Sequence, residues 1–205
     1  MPRSRAARLA VALVGIVLLG WGTGVLIVHV FATPIRRHLD VPVNRWFFHH
    51  RTAGLARVMN VVTRAGSERG ALAGALCVAG ICWWQSRRLA SACRPALAYG
   101  GAALITYAVK VIVGRGRHAG ATLFAKAAHL GYPSGHATLA AAVYGTGALL
   151  LVRPAGPSRA RKAAAVGCYG LALLVGFSRL YLGRHYLTDV VAGTGLGSLW
   201  ALALR

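Results

Sequence analysis

"RLAVALVGIVLLGWGTGVLIVHVFA", residues Arg8 to Ala32, decides the fold class before any other stretch is read. No Asp, Glu, Lys or Arg interrupts it after Arg8. An apolar helix of ~20 residues is long enough to cross the hydrocarbon core of a bilayer. The run is longer than the apolar region of a signal peptide, and no small-residue cleavage site clearly follows. It is therefore read as a retained span. Comparable runs recur, and six spans are predicted at roughly 9–31, 70–85, 95–113, 136–152, 163–182 and 189–204. Hydrophobic residues make up 57% of the chain and its mean hydropathy is +0.57, which agrees. The expected fold is all-α: a polytopic membrane helix bundle in one domain over residues 1–205, with about six transmembrane helices. Gly70, Gly74, Gly100, Gly101, Gly193 and Gly197 would let those helices approach closely.

Between the first two spans, "VPVNRWFFHHRTAGLARVMNVV" (41–62) is neither a span nor a simple loop. Val43, Trp46, Phe47, Leu55, Val58 and Val62 recur at helical spacing, with Arg45, His49, Arg57 and Asn60 largely opposite. That pattern predicts one amphipathic helix, lying in the headgroup plane or packed on the bundle.

Charge narrows the partners. The chain carries 24 Lys and Arg against three acids, a net charge of +21. Such an excess fits nucleic acid, anionic lipid or an anionic substrate. For a chain embedded in lipid, nucleic acid fits worst. The three acids, Asp40, Glu68 and Asp189, form no carboxylate cluster of the kind that holds Mg²⁺ or Ca²⁺. No metal or other cofactor is expected. Cys77, Cys82, Cys93 and Cys168 have no CxxC spacing and read as buried inert thiols, with disulfides the lesser alternative. Arg3, Arg5 and Arg8 favour a cytoplasmic N-terminus, although basic residues divide almost evenly between the two faces.

With the N-terminus inside, three polar segments reach the outer face. They are "KVIVGRGRH" (110–118), "PSGH" (133–136) and "SRLYLGRHYLTD" (178–189). Lys110 and Arg117 are seven apart, so two helical turns would align them. Arg179 adds a third cation. Any one such residue could simply snorkel to the headgroups, but together they suit the several oxygens of a phosphate. Pro133, Ser134 and Gly135 read as a helix start, with Ser134 as cap and free N–H groups facing an anion. His185 and Asp189, four apart, are expected to meet across one helical turn. The carboxylate would then hold one ring nitrogen and leave the other to attack. His136 supplies a second imidazole for proton transfer. These are the parts of phosphoryl transfer through a phosphohistidine.

The order Lys-x6-Arg, then Pro-Ser-Gly-His, then Ser-Arg-x5-His-x3-Asp resembles the signature of the type 2 phosphatidic acid phosphatase (PAP2) superfamily. Its short loops are similar to those of the small bacterial membrane lipid phosphatases in that family. One departure is His118, which stands where the family has proline and bears on loop geometry. The resemblance implies that His185 is the nucleophile, Asp189 its orienting partner, and His136 the acid and then the base. It assigns Lys110, Arg117, Ser134, Gly135 and Arg179 to the phosphoryl oxygens, and Ser178 to a supporting role. Arg115, Arg184 and His118 lie close by in sequence and are expected either to meet a diphosphate or headgroup or to sit in a solvated loop.

The expected function is hydrolysis of a phosphate or diphosphate lipid at the extracytoplasmic face of the cell membrane. Undecaprenyl diphosphate, phosphatidylglycerol phosphate and phosphatidic acid stay open as substrates, and oligomeric state is not legible. Two alternatives use the same residues. A phosphotransferase would pass the phosphoryl group to an acceptor other than water. A silent anion-binding protein would have no need of His136 or the His185–Asp189 pair.

Overall fold

In the computed structural model, residues 4–114, 131–152 and 158–205 are described. Helices occupy all six apolar stretches. Helix α1 (Arg5–Val25) starts at Ser4, whose hydroxyl accepts from the Ala7 N–H at 3.2 Å. A π turn (Leu26–Val30) leads into the four-residue α2 (Ala32–Ile35), and a second π turn (Arg36–Asp40) into α3 (Val41–His49). Next come α4 (Ala53–Val62), a 3₁₀ turn (Thr63–Gly66), α5 (Glu68–Ser86) and α6 (Leu89–Val113). The bundle closes with α7 (Gly135–Val152), α8 (Arg159–Tyr181) and α9 (Leu187–Ala203). Among the described residues four segments, Arg5–Val30, α6, α7 and α8, are long and apolar enough to cross a membrane. Helix α9 is shorter, and α5 falls outside that group.

The predicted amphipathic helix over 41–62 is two helices. They part at His50–Thr52, where Thr52 is extended and its hydroxyl accepts from Leu55 N–H at 3.3 Å. The N–H of Thr52 is withdrawn from any helical ladder because it donates to the Tyr181 hydroxyl at 2.9 Å. Phe47 docks edge-on against Phe177 and Tyr181 at 5.5 and 6.1 Å, so this segment packs on α8. Trp46 and Phe48 remain exposed, as suits an interfacial element.

Helix α7 is the axis of the bundle. In its most apolar stretch 61% of residues are buried, against 17% for α1, whose Val11, Val14 and Leu18 face outward. Helices α5, α6, α8 and α9 surround it. Small residues permit this: Ala140, Ala141 and Ala142 are wholly buried. At Gly197 an added Cβ would run into the Thr138 carbonyl, and at Gly193 it would lie 2.6 Å from the Ser134 carbonyl and 3.0 Å from Thr138 Oγ1. Gly100, by contrast, faces open space.

Gly193→Ala is accordingly expected to destabilise by about 1–3 kcal/mol, because the obstacle is backbone that cannot swing aside. Gly195→Ala, whose Cβ meets nothing within 4 Å, should be neutral or slightly stabilising through helix propensity. Thermal unfolding of both variants in detergent checks the contrast. Equal midpoints would refute the close packing.

Candidate active site

The start of α7 and the start of α9 are tied together by backbone. Ser134 N–H donates to the Asp189 carbonyl at 2.9 Å, and the Ser134 carbonyl accepts from Thr138 N–H and Oγ1, both at 3.0 Å. Ser134 is wholly buried, yet its hydroxyl has no hydrogen-bond partner among the described residues. The expected cap by its side chain is therefore not made. A buried hydroxyl without a partner costs free energy unless something completes it. Gly135 and His136 follow as the first two residues of α7.

The α8–α9 junction turns sharply. Gly183 takes φ of +65°, a left-handed conformation suited to glycine, and Arg184 N–H donates to the Arg179 carbonyl at 2.9 Å. The chain then extends through His185 into α9. Asp189, third in α9, folds back so that its Oδ2 accepts from Tyr186 N–H at 3.0 Å and lies 3.5 Å from His185 Nδ1. The pair thus meets across a helix cap, not along a helical turn, because His185 precedes the helix. At 3.5 Å the contact is an ion-pair distance and Nδ1 makes no hydrogen bond. Such contacts commonly tighten only once substrate binds.

His185 lies in the junction, outside the helical spans, and is 3% exposed. Burial lowers its pKa to about 4; the neighbouring Asp189 carboxylate opposes this, while Arg179 and Lys110 add to it. The ring is therefore neutral, the form that can attack, throughout the near-neutral range. The same influences place Lys110, in the last turn of α6, and Arg179 within electrostatic reach of this ring. Arg179 is itself buried and donates from Nη1 to Thr63 Oγ1 at 2.9 Å.

Helix α6 ends at Val113, with Gly114 at φ +65° after it, so Lys110 lies in its last turn and α6 does not itself extend to position 117. Arg117, Arg115 and His118 lie outside the described residues. Thr63, which holds Arg179, and Asn60, whose Oδ1 accepts from Arg184 Nη2 at 2.9 Å, carry no signal in the sequence beyond membership of a helical pattern.

Among the described residues no group of three His, Cys, Asp or Glu could hold a metal. The four cysteines are all free thiols, but none is buried as expected: Cys77 and Cys93 are exposed, on helix faces turned away from the core, and Cys82 and Cys168 are half-buried.

The sequence model of the PAP2 superfamily matches residues 72–205, which include both histidines, Asp189 and the cations above. The chain belongs to the PAP2 superfamily. It is 44% identical over 70 residues to phosphatidylglycerophosphatase B of Bacillus subtilis (strain 168), a match spanning 33% of this chain and 34% of that one. Its fold matches the crystal structure of a transmembrane PAP2-type phosphatidylglycerolphosphate phosphatase from Bacillus subtilis. That match has a TM-score of 0.76 and 26% identity over 95% of this chain and 92% of the other. With four described segments long and apolar enough to span and a transmembrane PAP2 relative matched over nearly its whole length, the chain is a multi-pass membrane protein.

Proposed function

We propose that this PAP2 protein is a metal-independent lipid phosphatase that works through a phosphohistidine. The observation that carries the reading is the junction itself: a buried His185 beside Asp189, whose carbonyl is hydrogen-bonded to the backbone N–H of Ser134 at the start of α7. In the first step His185 Nε2 attacks phosphorus. The bond from phosphorus to the lipid oxygen breaks, and His136 gives that oxygen a proton. In the second step His136 takes a proton from water, the water oxygen bonds to phosphorus, and the P–N bond breaks to free phosphate. Lys110, Arg117, Arg179, Ser134 and the N–H of Gly135 stabilise the charge on the phosphoryl oxygens.

The two Bacillus relatives are named for phosphatidylglycerophosphate, so that lipid leads the substrates, with phosphatidic acid and undecaprenyl diphosphate behind it. A place for the tail supports a lipid in general. An apolar groove of about 340 Å³ between α1 and α9 is lined by Leu19, Ile27, Leu187, Val191 and Leu199 and reaches Thr188, the neighbour of Asp189. Gly195→Phe should fill this groove, raising KM for long-chain substrates about tenfold while sparing a short soluble phosphate ester. Equal effects on both would detach the groove from the tail. Arg3, Arg5 and Arg8 favour a cytoplasmic N-terminus, which supports a site at the extracytoplasmic face. A cysteine placed near Gly120 should react with an impermeant thiol reagent in intact cells, and protection there would reverse the orientation.

The deciding measurement is phosphate release by the purified protein in detergent with EDTA, using each lipid in turn. Turnover should persist in EDTA. A lipid labelled in its phosphate should leave label on the protein that is stable to base and labile to acid. No release from any lipid would favour an anion-binding protein, and label appearing on an added alcohol would identify a phosphotransferase.

A further inference from the structure

Asp40 stands at the end of the second π turn, far from every motif, and is one of three acids in the chain. It is wholly buried. Thr188 binds both its oxygens: backbone N–H donates to Oδ1 at 3.1 Å and Oγ1 donates to Oδ2 at 2.8 Å. Thr188 is the second residue of α9, one place before Asp189. Its N–H belongs to the first turn of the helix, where no partner exists within the helix. Asp40 therefore does from 148 residues away what a cap usually does from the preceding residue. A carboxylate is also favoured there by the helix dipole. The local acid, Asp189, is otherwise engaged, since its Oδ2 serves Tyr186 N–H and faces His185.

Burying a carboxylate is costly unless hydrogen bonds compensate. Here two of the compensating hydrogen bonds come from one residue at the hinge of the site. We propose that Asp40 is a positioning residue for the nucleophile: it fixes the first turn of α9 and so holds Asp189 in register with His185 Nδ1. The proposal rests on the phosphatase reading and deepens it. The His185–Asp189 separation of 3.5 Å leaves little slack, because any outward drift of α9 removes the orienting contact. Misplacement by ~1 Å can cost a site about a hundredfold.

The test compares Asp40→Ala, Asp40→Asn and Thr188→Val with wild type. Asp40→Ala leaves two donors of Thr188 without this acceptor, and kcat should fall about a hundredfold with KM within about twofold. Asp40→Asn keeps an acceptor for the N–H and can donate to the hydroxyl, so it should recover to within about tenfold of wild type. Thr188→Val loses one of the two bonds and should fall between. A purely structural role would lower the thermal midpoint without separating kcat from KM.

A second readout does not depend on turnover: carbethoxylation of His185 by diethyl pyrocarbonate, followed by mass spectrometry. The exposed His49 and His50 serve as internal references. Loosening the first turn of α9 should raise the rate at His185 about tenfold in Asp40→Ala, leaving the references unchanged. Wild-type kcat and His185 reactivity in Asp40→Ala, or rates rising together at all three histidines, would overturn the proposal. If Asp40→Ala does not fold, Thr188→Val decides by the same two readouts. Should wild type release no phosphate, the phosphatase reading fails on its own and the carbethoxylation ratio still decides the role of Asp40.

Discussion

His185→Ala is expected to release no phosphate above background, and Asp189→Asn to lose about 10³–10⁴-fold in kcat with KM little changed. The two losses have different causes. Alanine removes the atom that bonds to phosphorus. Asparagine keeps the size of Asp189 and can still accept from Tyr186 N–H, but it cannot balance the positive charge that grows on the ring as it attacks. The pH dependence separates the roles further. With its pKa lowered to about 4, His185 is protonated and inactive only below that value, so the acid limb of kcat/KM should lie near pH 4. Asp189 raises this pKa, so Asp189→Asn should move the limb to lower pH. Stability carries the same sign: unfolded His185 binds its proton near pH 6.5 and the folded ring does not until about 4. Folding is therefore weakened as pH falls through that window, and His185→Ala should flatten the loss. Phosphate-release assays and thermal melts from about pH 2.5 to 8 check both, and an acid limb unchanged in Asp189→Asn would remove the carboxylate from the mechanism.

What could be read from the chain beforehand was whatever is encoded locally. The apolar runs mark the bundle because crossing or lining a bilayer requires a continuous stretch. The segments at 133–136 and 178–189 carry their chemistry within a dozen residues. The misreadings arise where distant parts meet. One amphipathic helix became two because Thr52 N–H finds Tyr181, 129 residues on. Ser134 looked like a cap, yet its hydroxyl stays without a partner while its backbone binds Asp189. Asp40 and Thr63 gave no local signal, being single polar residues whose partners lie 148 and 116 residues away. Helical spacing of Lys110 and Arg117 assumed a continuing helix, and Gly114 ends it.

His136→Ala is expected to slow lipid substrates by about 10²–10⁴-fold, but the second histidine differs from the first in which step it limits. His136 is the second residue of α7, and its carbonyl lies so close to Gly66 that a Cβ there would sit 2.9 Å away, which clamps its backbone against the turn after α4. Its proposed task is to move protons, and the need for that depends on the leaving group. A lipid alkoxide is a poor leaving group and requires a proton as the P–O bond breaks. An aryl phosphate such as p-nitrophenyl phosphate leaves as a stable phenolate and does not. With that substrate His136→Ala should still form the phosphohistidine, then stall because no base activates water. The expected trace is a burst of p-nitrophenol equal in amount to enzyme, followed by slow turnover, with acid-labile label accumulating on His185. His185→Ala should give no burst at all. If His136→Ala slows lipid and aryl substrates alike and accumulates no phosphoenzyme, His136 is not the proton carrier, and that role must pass to another group at the site.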